Sequence, residues 1–381
     1  MPDLPVTNMD PAIAPLSPIP PAPAPARFPT FGLAVWTIAT PILGLIALAL
    51  GLKIILVLAI ILGAAIMAAV YHAEVLAHYL GEPFGTLVLA FAVTVIECSL
   101  IVSIMLGETQ GLGAQTLARD TLLAAIMITI NGIVGICLLA GGRRHHEQTY
   151  TQSGVSHGLA MLATLAVLTL VLPNYTTSAQ GAFYNTSQLI FVAVISLVVY
   201  ATFVGAQTVR HRDHFLHPEE ADHAHEAPVS RTKAIAAALV LVATLVTVVL
   251  LAKALSPSIE AGVKAIGAPA AMVGIIIAGL VLAPEGFAAL RAARLNRVQT
   301  SLNLAIGSAL ATIGLTIPAV AVTAIVLGLE LELGLSMRST VLLALTLLVA
   351  TLTLGTGRTT VVQGVIHLVL FATWLFTTLV P

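Results

Sequence analysis

The chain has 381 residues, of which 58% are hydrophobic and only 9% charged, with a mean hydropathy of +1.03 and a formal net charge of −1. Soluble domains carry roughly 25% charged residues, so this composition excludes one. It indicates an all-α polytopic membrane protein embedded in lipid and gives nucleic-acid binding no support.

Met1 to Thr30 is rich in proline and has neither a basic start nor an apolar core, so residues 1–30 read as a disordered cytoplasmic tail. Apolar runs then follow at Phe31–Leu50, Leu52–Val70, Phe84–Leu106, Ala118–Ala140, Ser156–Pro173, Gln188–Thr208, Ala234–Ala254, Pro269–Leu290, Leu302–Leu327, Arg338–Leu354 and Thr360–Val380. Each is long enough to cross a bilayer, which makes eleven transmembrane helices. With the N-terminus inside, the inner segments hold Arg27, Arg143, Arg144, Arg210, Arg212, Arg231, Lys233, Arg291, Arg294, Arg297 and Arg358. The outer ones hold only Lys53, Arg119, Lys253, Lys264 and Arg338. That excess places the N-terminus in the cytoplasm and suits a bacterial inner membrane.

Within the third run stands Glu97, near mid-membrane, where a bare charge costs roughly 2.5 to 3.5 kcal/mol on insertion scales. A partner cation, a transferable proton, or a protonated carboxyl bonded to a neighbouring helix would each offset that cost. Cys98 and Cys137 also fall inside apolar runs and read as small buried hydrophobes, not as a disulfide or metal pair. Asp120, at the expected start of the fourth helix, reads as a cap.

One long hydrophilic loop, residues 210–233, separates six helices from five. Its five histidines and five acids are groups able to bind a divalent metal or sense pH, but their spacing matches no closed metal motif, and a solvated linker is the simpler reading. The flanking parts share a pattern. E-x6-G-x-P runs from Glu74 to Pro83 before the third helix and from Glu260 to Pro269 before the eighth, an offset of 186 residues (260 minus 74). Each copy precedes an apolar helix with one deep carboxylate, Glu97 and then Glu285. Five helices separate equivalents, and an odd number reverses direction, so the expected plan is a leading helix (31–50) and two inverted five-helix repeats (51–209 and 234–381).

Two carboxylates meeting from opposite sides supply oxygen ligands suited to a hard cation such as Ca²⁺, and when empty they compete for protons with that cation. Pro284, immediately before Glu285, removes a helix hydrogen bond and frees a carbonyl. Asn131 with Thr129 in the fourth helix, and Ser308 and Thr312 in the ninth, are further candidate ligands or simply interhelical hydrogen bonds. Arg291 lies six residues after Glu285, about 9 Å along a helix, so it and its neighbours Arg294 and Arg297 read as topological anchors.

The stretches FAVTVIECSLIVSIML, ARDTLLAAIMITINGIVGICLL and LVLAPEGFAALRAARLNRVQTSLNLAIGSALATIGLTIPAV resemble the bacterial Cha-type calcium/proton antiporters of the calcium:cation antiporter superfamily, with a likeness running from Phe31 to Pro381. The resemblance implies an antiporter in which Glu97 and Glu285 bind the ion and exchange protons. It implies no cofactor, only transported Ca²⁺ and H⁺, with Na⁺ and K⁺ also associated with this branch. The superfamily's Gly-Asn-Ala-x-Glu pattern is replaced here by Val93-Thr94-Val95-Ile96 and Val281-Leu282-Ala283-Pro284, which leaves Thr94 as a substitute ligand. A passive cation channel is the nearest rival. An intramembrane enzyme is not expected, since no H-E-x-x-H or other catalytic spacing lies at membrane depth.

Overall fold

Helices occupy all eleven apolar runs in the computed structural model, which describes residues 33–52, 54–80, 84–107, 112–210, 229–269 and 271–380. The N-terminal tail, most of the 210–233 loop and the Gly81 to Pro83 segment lie outside the described residues. The helices are α1 (Val35–Ala49), α2 (Ile55–Leu80), α3 (Phe84–Gly107), α4, α5, α6 (Thr186–Gly205), α7 (Arg231–Ala265), α8 (Ala271–Arg294), α9 (Val298–Leu327), α10 (Met337–Leu354) and α11 (Val361–Leu379). Helix α4 is α-helical over Leu112–Ile126, π-helical over Met127–Ile133 and α-helical again over Val134–His145. Helix α5 spans Gln152–Ala166, then a π-helical Val167–Val171 and a 3-10 turn at Leu172–Tyr175. Among the described residues nine helices are long and apolar enough to span a membrane, while α1 and the Phe91–Val102 part of α3 are shorter apolar stretches.

Helices α2 and α7 run past their apolar windows. Glu74 therefore sits inside α2, and Glu260 lies inside α7, where Ser256 Oγ donates to its carboxylate at 2.7 Å. The second E-x6-G-x-P copy is a helix stop. Gly267 takes φ +71°, Ala268 N–H bonds back to Val263 O at 3.0 Å, and Pro269 follows where no helical donor is needed. Asp120 is not a cap. Helix α4 already begins at Leu112, and Asp120 instead accepts from its neighbour Arg119 at 3.1 Å.

The packing repeats across the two halves. Helix α3 lies along α9 as α8 lies along α4, α6 lies along α9 as α11 lies along α4, and α2 pairs with α7. Exchanging α2–α6 for α7–α11 reproduces these contacts, as a pseudo-two-fold axis in the membrane plane requires. The connections obey the same exchange. Strand β1 (Gln148–Thr149), between α4 and α5, pairs antiparallel with β2 (Arg358–Thr359), between α10 and α11. Its counterpart is an antiparallel bridge from Phe183, between α5 and α6, to Glu332, between α9 and α10. Helix α1 stays outside this scheme and packs on α2 and α7.

Burial identifies the centre. The apolar window of α4 is 83% buried and that of α9 56%, against 28% for α6, α10 and α11. The outer helices turn Leu56, Leu239 and Leu352 outward, as lipid-facing surfaces do, while Ile96, Leu122, Ile126, Ile130 and Leu162 are wholly enclosed.

Candidate functional site

Helix α9 carries Ser308, Thr312 and Thr316 at four-residue intervals, so their hydroxyls line one face, about 6 Å apart along the axis. Two of them reach carboxyls arriving from opposite halves. Thr312 Oγ1 donates to Glu97 Oε2 on α3 at 2.6 Å, and Ser308 Oγ donates to Glu285 Oε2 on α8. One turn further on, Thr316 Oγ1 lies 3.2 Å from Cys98 Sγ. A single helix thus sets the spacing of both acids, whose hydroxyl partners stand one turn apart on it.

The acids differ in surroundings. Glu97 is 0% exposed, and its second oxygen, Oε1, is buried without a hydrogen-bond partner. Glu285 is only half-buried. Buried carboxylates normally find several donors or a cation, so a bare oxygen beside a second acid is a place for a metal ion or a proton. Among the described residues no ion pair reaches either glutamate. Arg291 and Arg294 are exposed, and the ion pairs present join Arg119 to Asp120 and Glu332 and Arg358 to Glu147.

Thr94 precedes Glu97 by one turn on α3 and is buried. Pro284 is buried inside α8 and, lacking an N–H, leaves the Leu280 carbonyl without its helical donor. Asn131 is placed elsewhere. It sits in the π-helical part of α4, where Nδ2 donates to Thr346 Oγ1 at 2.8 Å and Oδ1 meets His367 Nδ1 at 3.0 Å. The structure therefore brings Glu97, Glu285, Ser308 and Thr312 into one site, with Thr94 adjoining, and gives Asn131 to a second buried cluster. Thr129 bonds the carbonyls of its own helix at Ala125 and Ile126.

Two participants escaped the sequence reading. Cys98 is half-buried and joined to the α9 hydroxyl row, with no signal beyond its place next to Glu97. His367, 0% exposed, was legible as the lone ionisable residue of the last apolar run. Among the described residues no group of three or more His, Cys, Asp or Glu gathers to hold a metal ion. The donor set is two carboxyls, hydroxyls and a carbonyl, all hard oxygen, which suits an alkali or alkaline-earth cation over a thiolate- or imidazole-seeking metal.

The chain was compared with known proteins. The model of the sodium/calcium exchanger protein family matches residues 48–209 and 236–380. The y4hA protein of Sinorhizobium fredii, named an ionic transporter, is 44% identical over 91% of this chain and 96% of its own. The sodium-potassium/proton antiporter ChaA of Escherichia coli is 38% identical over 81% of this chain and 84% of its own. In fold the chain is similar to the crystal structure of the H⁺/Ca²⁺ exchanger CAX, with a TM-score of 0.69 at 17% identity, covering 89% of this chain and 86% of that one.

Proposed function

The chain belongs to the sodium/calcium exchanger protein family, and on that premise we propose that it is a proton-coupled antiporter exporting a cytoplasmic cation, Ca²⁺ in the first place and Na⁺ or K⁺ in the second. The observation that carries this reading is the pair of glutamates hung on successive turns of α9, one with an unpartnered buried oxygen. In one state the four carboxylate oxygens, helped by the Ser308, Thr312 and Thr94 hydroxyls, take the cation. In the other, protons occupy the same oxygens. The two loads exclude one another, because two carboxylates held a turn apart at membrane depth are not kept fully ionised without a cation and cannot bind one once protonated. Alternation then exposes the site to either side by rocking one inverted half against the other.

Names among the relatives point both ways on the ion, one being a sodium-potassium/proton antiporter and a fold relative an H⁺/Ca²⁺ exchanger. Hard oxygen ligands with up to two negative charges favour the divalent ion. The excess of Lys and Arg on one side supports a cytoplasmic N-terminus in a bacterial inner membrane.

The test is proton flux in reconstituted liposomes driven in turn by Ca²⁺, Na⁺, K⁺ and Mg²⁺. Coupled flux in the native protein, abolished in Glu97→Gln and in Glu285→Gln with the fold retained, is the expected result. Cation conductance without proton movement would make the protein a channel, and native flux in either variant removes the mechanism.

A further inference from the structure

The mechanism above leaves unused the second buried cluster, and with it the only histidine in the last span. We propose that His367 and Asn131 are positioning residues for Glu285, holding the π-helical segment of α4 so that it seats α8 at the residue next to the carboxyl. This inference rests on the exchange reading, in which Glu285 carries the ion.

A π-helical turn is a strained insertion that persists only where its surroundings hold it, and such turns recur at functional sites. Here the holding groups are polar and fully enclosed. Asn131 and His367 are 0% exposed and Thr346 is 1% exposed. Asn131 is engaged at both ends of its amide, to Thr346 of α10 and to His367 of α11, and Nδ2 also approaches Met127 Sδ at 3.3 Å. His367 Nε2 is engaged in turn by Thr353 Oγ1 of α10 at 2.8 Å. An ionisable side chain kept at this depth with both nitrogens bonded fixes whatever it holds. What it holds is residue 131, in the middle of the segment.

The other side of the same segment bears on α8. Ile133, two residues on from Asn131, packs so closely on Gly286 that a β-carbon there would stand 3.2 Å from Ile133 Cδ1, and Ile128 stands 4.0 Å from the equivalent point at Gly279. Gly286 follows Glu285 directly. Any change in the register of the segment therefore pushes on α8 beside the carboxyl and alters its reach to Ser308. The segment packs on α9 as well as on α8, but Glu97 rides on α3, which meets the segment far less. Helices α10 and α11, peripheral by burial, thus make their polar link to the segment at Asn131.

The experiment is carbodiimide labelling of the full chain in liposomes, with the rate at each glutamate read by peptide mass spectrometry. In His367→Leu and Asn131→Leu the labelling rate of Glu285 changes at least threefold while that of Glu97 stays within twofold of native. His367→Gln, which restores a side-chain donor and acceptor, recovers most of the native rate. Thr346→Val removes one bond of the cluster and serves if the leucine variants fold poorly; it gives a smaller change, again confined to Glu285. Equal change at both glutamates, or none at Glu285, overturns the proposal. Labelling needs no transport, so absence of cation-driven flux in the native protein would sink the exchange reading and leave the labelling result to decide this one.

Discussion

Helices α4 and α9 occupy equivalent places in the two halves, yet they do different chemistry. Helix α9 turns Ser308, Thr312 and Thr316 toward two carboxyls and a thiol, whereas α4 turns Asn131 away from them, toward His367 and Thr346. Inverted repetition has therefore been kept in how the helices pack and given up in the side chains and in the π-helical turn of α4. One central helix carries the hydroxyls that bond the two glutamates, and the other, through Ile128 and Ile133, packs against glycines of α8. An exchange site needs both, since oxygens that bind a cation also need a frame that keeps them from collapsing onto each other when it leaves.

The contrast can be broken from either side. The largest effect is expected on the α9 side of the comparison: replacing either glutamate that it holds removes coupled flux altogether. Next come the hydroxyls. A hydrogen bond to a charged group contributes about 1.5 to 3 kcal/mol, so Thr312→Val and Ser308→Ala should each raise the half-saturating cation concentration by roughly tenfold or more in the flux assay. Asn131→Leu should leave direct cation affinity closer to native than Thr312→Val does. If the reverse holds, α4 rather than α9 supplies ligands.

A smaller effect concerns fit. A β-carbon at Gly314 of α9 would stand 2.6 Å from Tyr200 Cβ of α6, closer than real contacts allow. Gly314→Ala should therefore cost about 1 to 3 kcal/mol, read as a lowered unfolding midpoint in detergent. An unchanged midpoint would mean that α6 is free to draw back from α9.

The smallest effect separates the two ends of the central pair. Near the start of α4, Arg119 ties Asp120, Glu332 and the Gly334 carbonyl. Near the start of α9 the ties are amides: Gln148 Nε2 donates to Ala293 O at 3.1 Å and to Asn296 Oδ1 at 2.9 Å, and Thr151 N–H donates to Gln299 Oε1 at 2.7 Å. One end is held by half-buried charges, and the other chiefly by neutral dipoles, with only the exposed pair of Arg358 and Glu147 beside them among the described residues. Arg119→Gln should cost about 1 kcal/mol or less, and the loss should shrink in high salt, whereas Gln148→Ala should give a loss indifferent to salt. Equal salt dependence in unfolding measurements would remove the distinction.

Much of this was legible beforehand, for reasons that lipid imposes. A span must be apolar on all sides, so eleven runs stand out, and a carboxyl inside one is conspicuous, which marks Glu97 and Glu285. The four-residue interval between Ser308 and Thr312 also puts both on one helical face. Which hydroxyl meets which acid was not legible, because that depends on how α3 and α8 cross α9. The π-helical turn at Met127–Ile133 has no signature in an unbroken apolar run, and its extra residue is what carries Asn131 among α10 and α11. The ends of α2 and α7 were set too short because apolarity stops at the hydrocarbon boundary while helical hydrogen bonding does not.

The most direct measurement is of protons released when the purified protein binds its cation in weakly buffered detergent, with Ca²⁺, Na⁺ and K⁺ added in turn. Competition for the same oxygens predicts acidification in the native protein, a reduced yield in Glu97→Gln and in Glu285→Gln, and none in the double variant. Cation binding with undiminished proton release in the double variant would contradict it.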